Sequence, residues 1–333
     1  MTQGFKDSFP LWIESKGISR KELIALLQNK YYEEFKGLDA ITLSRWLNGK
    51  STPPLYKQFY IAKCLDICLK EYISSLDLSE IKYPVRYDSI LYKLTKVLDF
   101  SLSVLSYRYV PKYVKSEISS DTYNEHIERF GEFYGNVSPL RNFKRALYEM
   151  KDSVNYKSIV LKNEDDEVIG HWSGVVDIDR LNGIPSFITI PRNEVDRSCL
   201  VSLGYYVNSE HYFELIVQAI CLYLMVYSKT KDFVYFYIVD CRPMVEFCRF
   251  IFHAKEMKYY PPLDEKDKMG VYLFKFNIIK SIANPTLLKK VQAKLNCLAK
   301  CDSQDCKLCN LKEIEVKESN VRKIILNDKN RSD

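Results

Sequence analysis

The sequence predicts an α+β protein of more than one domain: an all-α domain at the N-terminus, then an α/β domain built on a mixed sheet. Three observations carry this. At 333 residues the chain is longer than one small core organises. Between Ile18 and Ser74, helix caps alternate with apolar stripes at helical spacing. From Lys157 onward, short β-branched and aromatic runs alternate with helical patterns, which is the signature of an α/β arrangement. Hydrophobic residues make up 47% and charged residues 28%, a globular composition that excludes a disordered chain. The most apolar stretch, Leu215 to Tyr227, is short and contains Gln218, so it reads as a buried helix and no membrane partner is expected. The first residues lack the basic-then-apolar layout of a secretory signal, so a cytoplasmic location is expected. A net charge of +6 is mild; it permits nucleic-acid binding without requiring it.

The N-terminal elements follow from local signals. Ser19 is an N-cap, and Glu22 three residues on completes a capping box, with Leu23, Leu26 and Leu27 on one apolar face. Asp39 caps a second helix whose buried stripe is Leu43, Trp46 and Leu47, and Asn48-Gly49 stops it. That helix leaves Ala40, Ile41, Thr42, Ser44 and Arg45 outward, with Lys50 just beyond. Such a face suits a DNA major groove: apolar atoms for thymine methyls, hydroxyls for phosphates and a forked guanidinium for guanine.

These residues resemble the helix-turn-helix of the phage-repressor/Cro family. Phe9–Lys16 takes the place of helix one, and Ser19-Arg20-Lys21-Glu22-Leu23 opens helix two. Ser44-Arg45-Trp46-Leu47-Asn48-Gly49-Lys50 closes the recognition helix, and Thr52-Pro53-Pro54 leads into Leu55–Leu65. The resemblance implies double-stranded DNA as partner. It implies Ser19, Arg20, Lys21, Ala40, Ile41, Thr42, Ser44, Arg45, Asn48 and Lys50 as the contacting residues. Two features depart from the family: Gln28–Gly37 is longer than its tight turn, and Leu47 stands where Glu often follows the Trp.

The expected organisation is a helix-turn-helix domain at 1–74, a linker and helix at 75–105, an α/β domain at 106–290 and a Cys-rich basic tail at 291–333. Tyr87–Leu105 carries apolar residues at helical spacing; it pairs two subunits or simply covers the next domain. Strands are expected at Ser106–Val114, Phe187–Ile190, Cys199–Val207, Phe233–Val239 and Gly270–Asn277. A hairpin is expected from Ser158–Leu161 and Glu167–Val176 about the acidic turn Asn163–Asp166. Helices are expected at Thr122–Tyr134, Leu140–Met150, Glu210–Tyr227, Pro243–Glu256 and Thr286–Ala299, and a second hairpin at Leu311–Leu326.

A hairpin followed by strand–helix–strand–helix–strand resembles the GNAT acyltransferase fold. The matching residues are Asn163–Gly170, Leu200–Val207 before a long helix, and Phe233–Val239 before the next. Active members of that family hold the CoA pyrophosphate on a turn of type R/Q-x-x-G-x-G/A and the following helix N-terminus. Here the segment is Val207-Asn208-Ser209-Glu210-His211-Tyr212-Phe213, with no glycine, no Arg and an acid at Glu210. The resemblance therefore implies a GNAT-like fold used for dimerisation or ligand sensing, with acetyl-CoA not expected. His171 and Glu210 are the catalytic candidates should the domain be active.

Cys297, Cys301, Cys306 and Cys309 form C-x3-C-x4-C-x2-C, which can surround one tetrahedral Zn²⁺; a disulfide pair or free thiols are the competing readings. The other six cysteines lie among apolar neighbours and read as reduced core residues. The four histidines are dispersed, and no H-E-x-x-H or G-x-S-x-G element supports a metalloprotease or serine hydrolase. The function these features predict is a sequence-specific DNA-binding transcription regulator, by default a repressor. It would be a homodimer with a small-molecule effector, and not an enzyme. The alternative is an N-acyltransferase that carries a DNA-binding module.

Overall fold

The computed structural model describes residues 4–79, 81, 83–100, 115–135, 138–151, 154–181, 190–263, 270–301 and 308–317. The chain begins with α1 (Phe5–Lys16), α2 (Arg20–Lys30), α3 (Tyr32–Phe35), α4 (Ala40–Leu47), α5 (Leu55–Cys64), α6 (Leu69–Ser75) and α7 (Val85–Leu98). The Ser19 capping box forms as the sequence requires: Ser19 N–H donates to Glu22 Oε2 at 2.8 Å, and Glu22 N–H donates to Ser19 Oγ at 3.3 Å. Asp39 accepts from Thr42 N–H at 2.6 Å to start α4, and Gly49 takes φ 65° just after its end. The long segment between α2 and α4 is filled by α3, and the Gln28 side-chain amide donates to the carbonyls of Phe35 and Leu38.

Next come β1 (Lys115–Thr122), α8 (Tyr123–Gly135), α9 (Ser138–Tyr148), β2 (Asn155–Lys162), β3 (Val168–Val175), β4 (Ser198–Val201) and β5 (Tyr205–Tyr206). The rest is α10 (Ser209–Leu222), β6 (Phe233–Val239), α11 (Arg242–Phe250), β7 (Lys255–Tyr260), β8 (Val271–Asn277), α12 (Ile278–Ile282) and α13 (Pro285–Lys300). The strands form one mixed sheet in the order β1-β2-β3-β4-β6-β8-β7, with β5 paired to β3. The β4–β6 pair is parallel, and the other named pairs are antiparallel. One parallel pair among antiparallel ones makes the α/β part a mixed sheet.

One face of the sheet carries α8 and α9, with Tyr123, Phe130, Leu140 and Leu147 packed on Tyr156, Val160, Tyr235 and Tyr237. The other carries α10, α11, α12 and α13, and its core runs without a break into the N-terminal helices, from Phe5 to Leu311. In α5 every side chain from Gln58 to Cys64 is buried, because this helix lies between its helical neighbours and α12. Polar contacts also join the regions. Lys63 Nζ donates to Asp232 Oδ1 at 2.5 Å with both groups buried, and the Gln292 amide donates to the carbonyls of Ile73 and Leu76. Among the described residues no helix is long and apolar enough to cross a membrane.

Several expected elements are corrected. The helix expected at Pro243–Glu256 ends at Phe250, and His253 takes φ 53° before the chain enters β7. Lys255–Tyr260 is the edge strand, and its mostly exposed residues leave no alternation to read. The strand expected at Cys199–Val207 is two strands with a break at Ser202–Gly204. The helix expected to reach Tyr227 turns π-helical at Tyr223. Residues 311–317 are helical, not the first arm of a hairpin. The helix at Tyr87 covers its own chain: Tyr87, Ile90 and Leu94 are buried, and α7 packs on α11. Helix α13 runs through position 290 with Val291, Leu295 and Leu298 buried, so the expected tail begins inside a core helix. The strand expected at Ser106–Val114 lies outside the described residues, as do residues 187–189 of the strand expected at Phe187–Ile190.

Candidate functional site

The parallel strands β4 and β6 are paired only from Ser198↔Phe233 to Val201↔Phe236. Beyond Val201 the chain is pulled toward β3. Ser202 donates from both its N–H and its Oγ to the Ser173 carbonyl, at 2.9 and 2.8 Å, and Trp172 Nε1–H donates to the Ser202 carbonyl at 3.0 Å. The chain then pairs as β5 with Gly170 and His171 of β3. Strand β6 runs on to Val239 beside β8. From Tyr237 to Val239 its other edge pairs with no strand among the described residues, so the sheet opens into a wedge. At the fork stands Gly204, where a Cβ would be crowded, 3.2 Å from the His171 carbonyl oxygen and 3.2 Å from Trp172 Cδ1.

A cavity of about 140 Å³ fills the wedge. Leu203, Gly204 and Tyr206 line one wall, Phe236 to Val239 the other, Tyr212 and Leu215 of α10 the floor, and Trp172 and Met244 complete it. It lies outside the carboxyl ends of two parallel strands, where open α/β sheets characteristically bind ligands. Its protic groups are phenols. Tyr206 Oη lies 3.9 Å from Met244 Sδ, and burial pushes the Tyr206 and Tyr212 phenols above their ordinary range, so both stay protonated at neutral pH.

The first turn of α10 borders this wedge. Asn208 caps it, accepting from His211 N–H at 2.8 Å. Asp99, just past the end of α7, takes the remaining donors: Ser209 N–H at 2.7 Å and Ser209 Oγ at 2.8 Å. The chain thus supplies its own carboxylate where a helix N-terminus would receive an anion. Sequence reasoning missed Asp99, which lies 110 residues from Ser209 and has no local marker.

The two catalytic candidates named from sequence fall apart in space. Glu210 is exposed on the first turn of α10. His171 is buried on the opposite face, stacked 4.1 Å from Phe130, and burial, then His126 and Arg129, pull it down to about 3. His126 stacks 3.8 Å from Tyr156 and is likewise pulled to about 3, by burial first and Arg129 second. Both imidazoles are neutral core rings.

The residues expected to meet DNA are placed as follows. Ala40, Ile41, Ser44, Arg45, Asn48 and Lys50 line a shallow open depression on α4, with Ile41 72% exposed. Thr42 is half-buried, Ser19 is engaged in its cap, and Arg20 and Lys21 are exposed on α2. The zinc expectation is corrected. Among the described residues no group of three or more His, Cys, Asp or Glu can hold a metal ion. Cys297 is exposed on α13, Cys301 is half-buried just past its end, and Cys309 bridges to Ser116 at the edge of the sheet. Cys306 lies outside the described residues. Cys68, expected in the core, is exposed.

No protein-family model and no curated protein matches this sequence. Among solved structures the chain is similar to spermidine N-acetyltransferase from Vibrio cholerae in complex with CoA and spermine, at 11% identity and a TM-score of 0.30, over 50% of this chain and 98% of that one. It is also similar to Arabidopsis thaliana NAA60 in complex with acetyl-CoA, at 13% identity and a TM-score of 0.31, over 48% of this chain and 98% of that one. Identities this low bear on fold alone, and at these TM-scores the likeness assigns neither a residue nor a substrate. The expectation of a DNA-binding repressor is corrected: both of those chains are acetyltransferases, as in the alternative expectation. Corrected with it are the expectations of double-stranded DNA as partner, of no enzyme activity, and of acetyl-CoA as a ligand not expected, since those chains are acetyltransferases in complex with CoA and spermine and with acetyl-CoA.

Proposed function

We propose that this chain is an N-acyltransferase that holds the thioester end of an acyl-CoA in the wedge between β5 and β6. One observation carries the reading: the parallel pair parts after Val201↔Phe236 and leaves a strand edge facing a mostly apolar cavity. A strand edge offers backbone N–H and C=O groups to an extended amide-containing chain, much as β-augmentation does, and the pantetheine arm of CoA is such a chain. An amine that attacks the thioester carbonyl forms a C–N bond and expels a thiolate, which must take up a proton. The protonated Tyr206 phenol at the wedge supplies that proton as general acid and is regenerated from the acceptor's ammonium through solvent.

The pyrophosphate does not fit the first turn of α10, where Asp99 already holds Ser209 N–H and Oγ. No step is routed through that turn. Residues 1–74 act in this reading as a helical unit that buttresses the sheet through α5 and α6, and residues 106–290 carry the wedge.

The test is calorimetric titration with acetyl-CoA, then incubation with a panel of primary amines and detection of N-acyl products by mass spectrometry. Binding with product formation is expected. Tyr206→Phe should bind the donor as before and lose roughly 10²–10⁴ in turnover. A protein that binds no CoA derivative and yields no product would end this reading.

A further inference from the structure

A second cavity lies behind the wedge, between the sheet and the middle of α10. It has a volume of about 130 Å³. Its exposed wall is mostly apolar, with Val201 of β4, Ile216, Ala219 and Ile220 of α10, and Ile282 of α12, while Lys157, Ser173 and Lys231 also border it. Trp172 lines this cavity and the wedge alike. Its indole is fixed by the Nε1–H bond to the Ser202 carbonyl at 3.0 Å, so the ring stands between the two spaces. Buried interiors are packed with few voids larger than a water molecule, so a mostly apolar hole of this size beside a ligand cleft calls for an occupant.

We infer that the donor carries an acyl chain longer than acetyl, and that its apolar end passes Trp172 to fill this second cavity. The inference rests on the acyltransferase reading and sharpens it to a substrate class: straight-chain acyl thioesters of about four to six carbons. The size follows from volume, since an apolar cavity of about 150 Å³ holds a benzene-sized guest and stays dry without one. The chemistry follows from the lining, whose side chains on α10 and α12 offer mostly apolar contact and so favour a hydrocarbon tail over a charged or heavily hydroxylated one. The thioester carbon stays at the Gly204 fork, and the bonds made and broken are those of the transfer itself.

Non-transferable S-alkyl-CoA thioethers test this on the full-length chain, read by calorimetry and by Trp fluorescence. From methyl to hexyl, each added methylene is expected to tighten binding about threefold, with no further gain at dodecyl. Ala219→Leu and, separately, Ile220→Phe fill the cavity; each should bring hexyl-CoA back to the affinity of methyl-CoA while methyl-CoA binds as in the parent. Thermal melting of both variants shows that they fold, and Val201→Leu stands in for either one that does not. Equal affinity for methyl and hexyl in the parent overturns the inference and leaves the acyltransferase reading standing, with the hole a packing void. Equal loss of methyl and hexyl binding in the filled variants also overturns it. Failure of every thioether and of CoA itself overturns both.

Discussion

Helices α4 and α10 begin with the same physics and differ in how far it reaches. Asp39 caps α4 from three residues away, and the N–H of Thr42 holds its carboxyl below the usual range. Asn208 caps α10 just as locally, at 2.8 Å from His211 N. Only α10 then receives a second carboxylate from a distant segment, Asp99. The first helix was fully specified by its own sequence window. The second has a functional neighbourhood that only the folded chain assembles, and the candidate chemistry lies there. Contacts that span the chain should therefore dominate both stability and the site, and local caps should tune single helices.

The largest expected effect comes from a buried ion pair between distant segments. Asp232 accepts from Lys63 Nζ at 2.5 Å and from Arg197 Nε at 2.6 Å, across 169 and 35 residues. Burial pulls Lys63 down from the ordinary amine range and Asp232 opposes that pull, so removing Asp232 leaves a buried ammonium without its counter-charge, on the Lys231 carbonyl alone. Asp232→Ala should cost about 3–5 kcal/mol in chemical denaturation, and it should loosen α5 together with β6. A loss of under about 1 kcal/mol would place this pair among ordinary surface ion pairs and break the comparison.

Acid should act next, through the stacked rings on the opposite face. His126 and His171 are each held near 3, against an ordinary value of 6.5. The unfolded chain therefore binds protons first as pH falls. Stability from these rings is complete above pH 6.5 and is lost progressively toward pH 3. At pH 5 one such ring costs about 2 kcal/mol relative to neutral pH. His126→Phe keeps an aromatic against Tyr156 and should flatten the pH 7-to-5 stability slope by about that amount. An unchanged slope would mean the ring already titrates normally in the folded protein.

What could be read from the sequence divides along the same line. The Ser19 box, the Asp39 cap and the Gly49 stop were legible because donor and acceptor sit within four residues. The acidic hairpin and the β6 and β8 strands were legible because burial wrote alternation or an apolar run into them. Strand β7 was not, since an edge strand with both faces mostly exposed carries no pattern. The fork at Gly204 was not, since its only local sign is a missing Cβ, and what that absence relieves is set by His171 and Trp172 on another strand. The functional expectation leaned on the loud local motif at Ser44–Lys50 and took the missing glycines of Val207–Phe213 as the end of donor binding. The opening that supports the proposed site is made by strand divergence one turn earlier.

Between these extremes stands the local cap beside the wedge. Asn208→Ala should cost about 1 kcal/mol, and since α10 floors the wedge it should also weaken CoA binding by calorimetry. A variant that loses stability with donor affinity intact would separate the cap from the site.

The smallest expected effect is the sharpest test of the comparison, because it changes one charge and almost no shape. Asn caps a helix about as well as Asp, so Asp39→Asn should melt within error of the parent. Asp99→Asn removes a full negative charge from the positive end of α10 and weakens the pair of bonds to Ser209. Its cost should be about 0.3–1 kcal/mol at low ionic strength and should shrink as salt is added, since charge–dipole attraction at a helix end is screened. The same substitution leaves the first turn of α10 more receptive to an outside anion, so inorganic pyrophosphate should stabilise Asp99→Asn against heat more than it stabilises the parent. Equal melting shifts for the two Asn variants, with no difference in their response to pyrophosphate, would show that the distant carboxylate is only another cap and that nothing about this turn depends on the assembled fold.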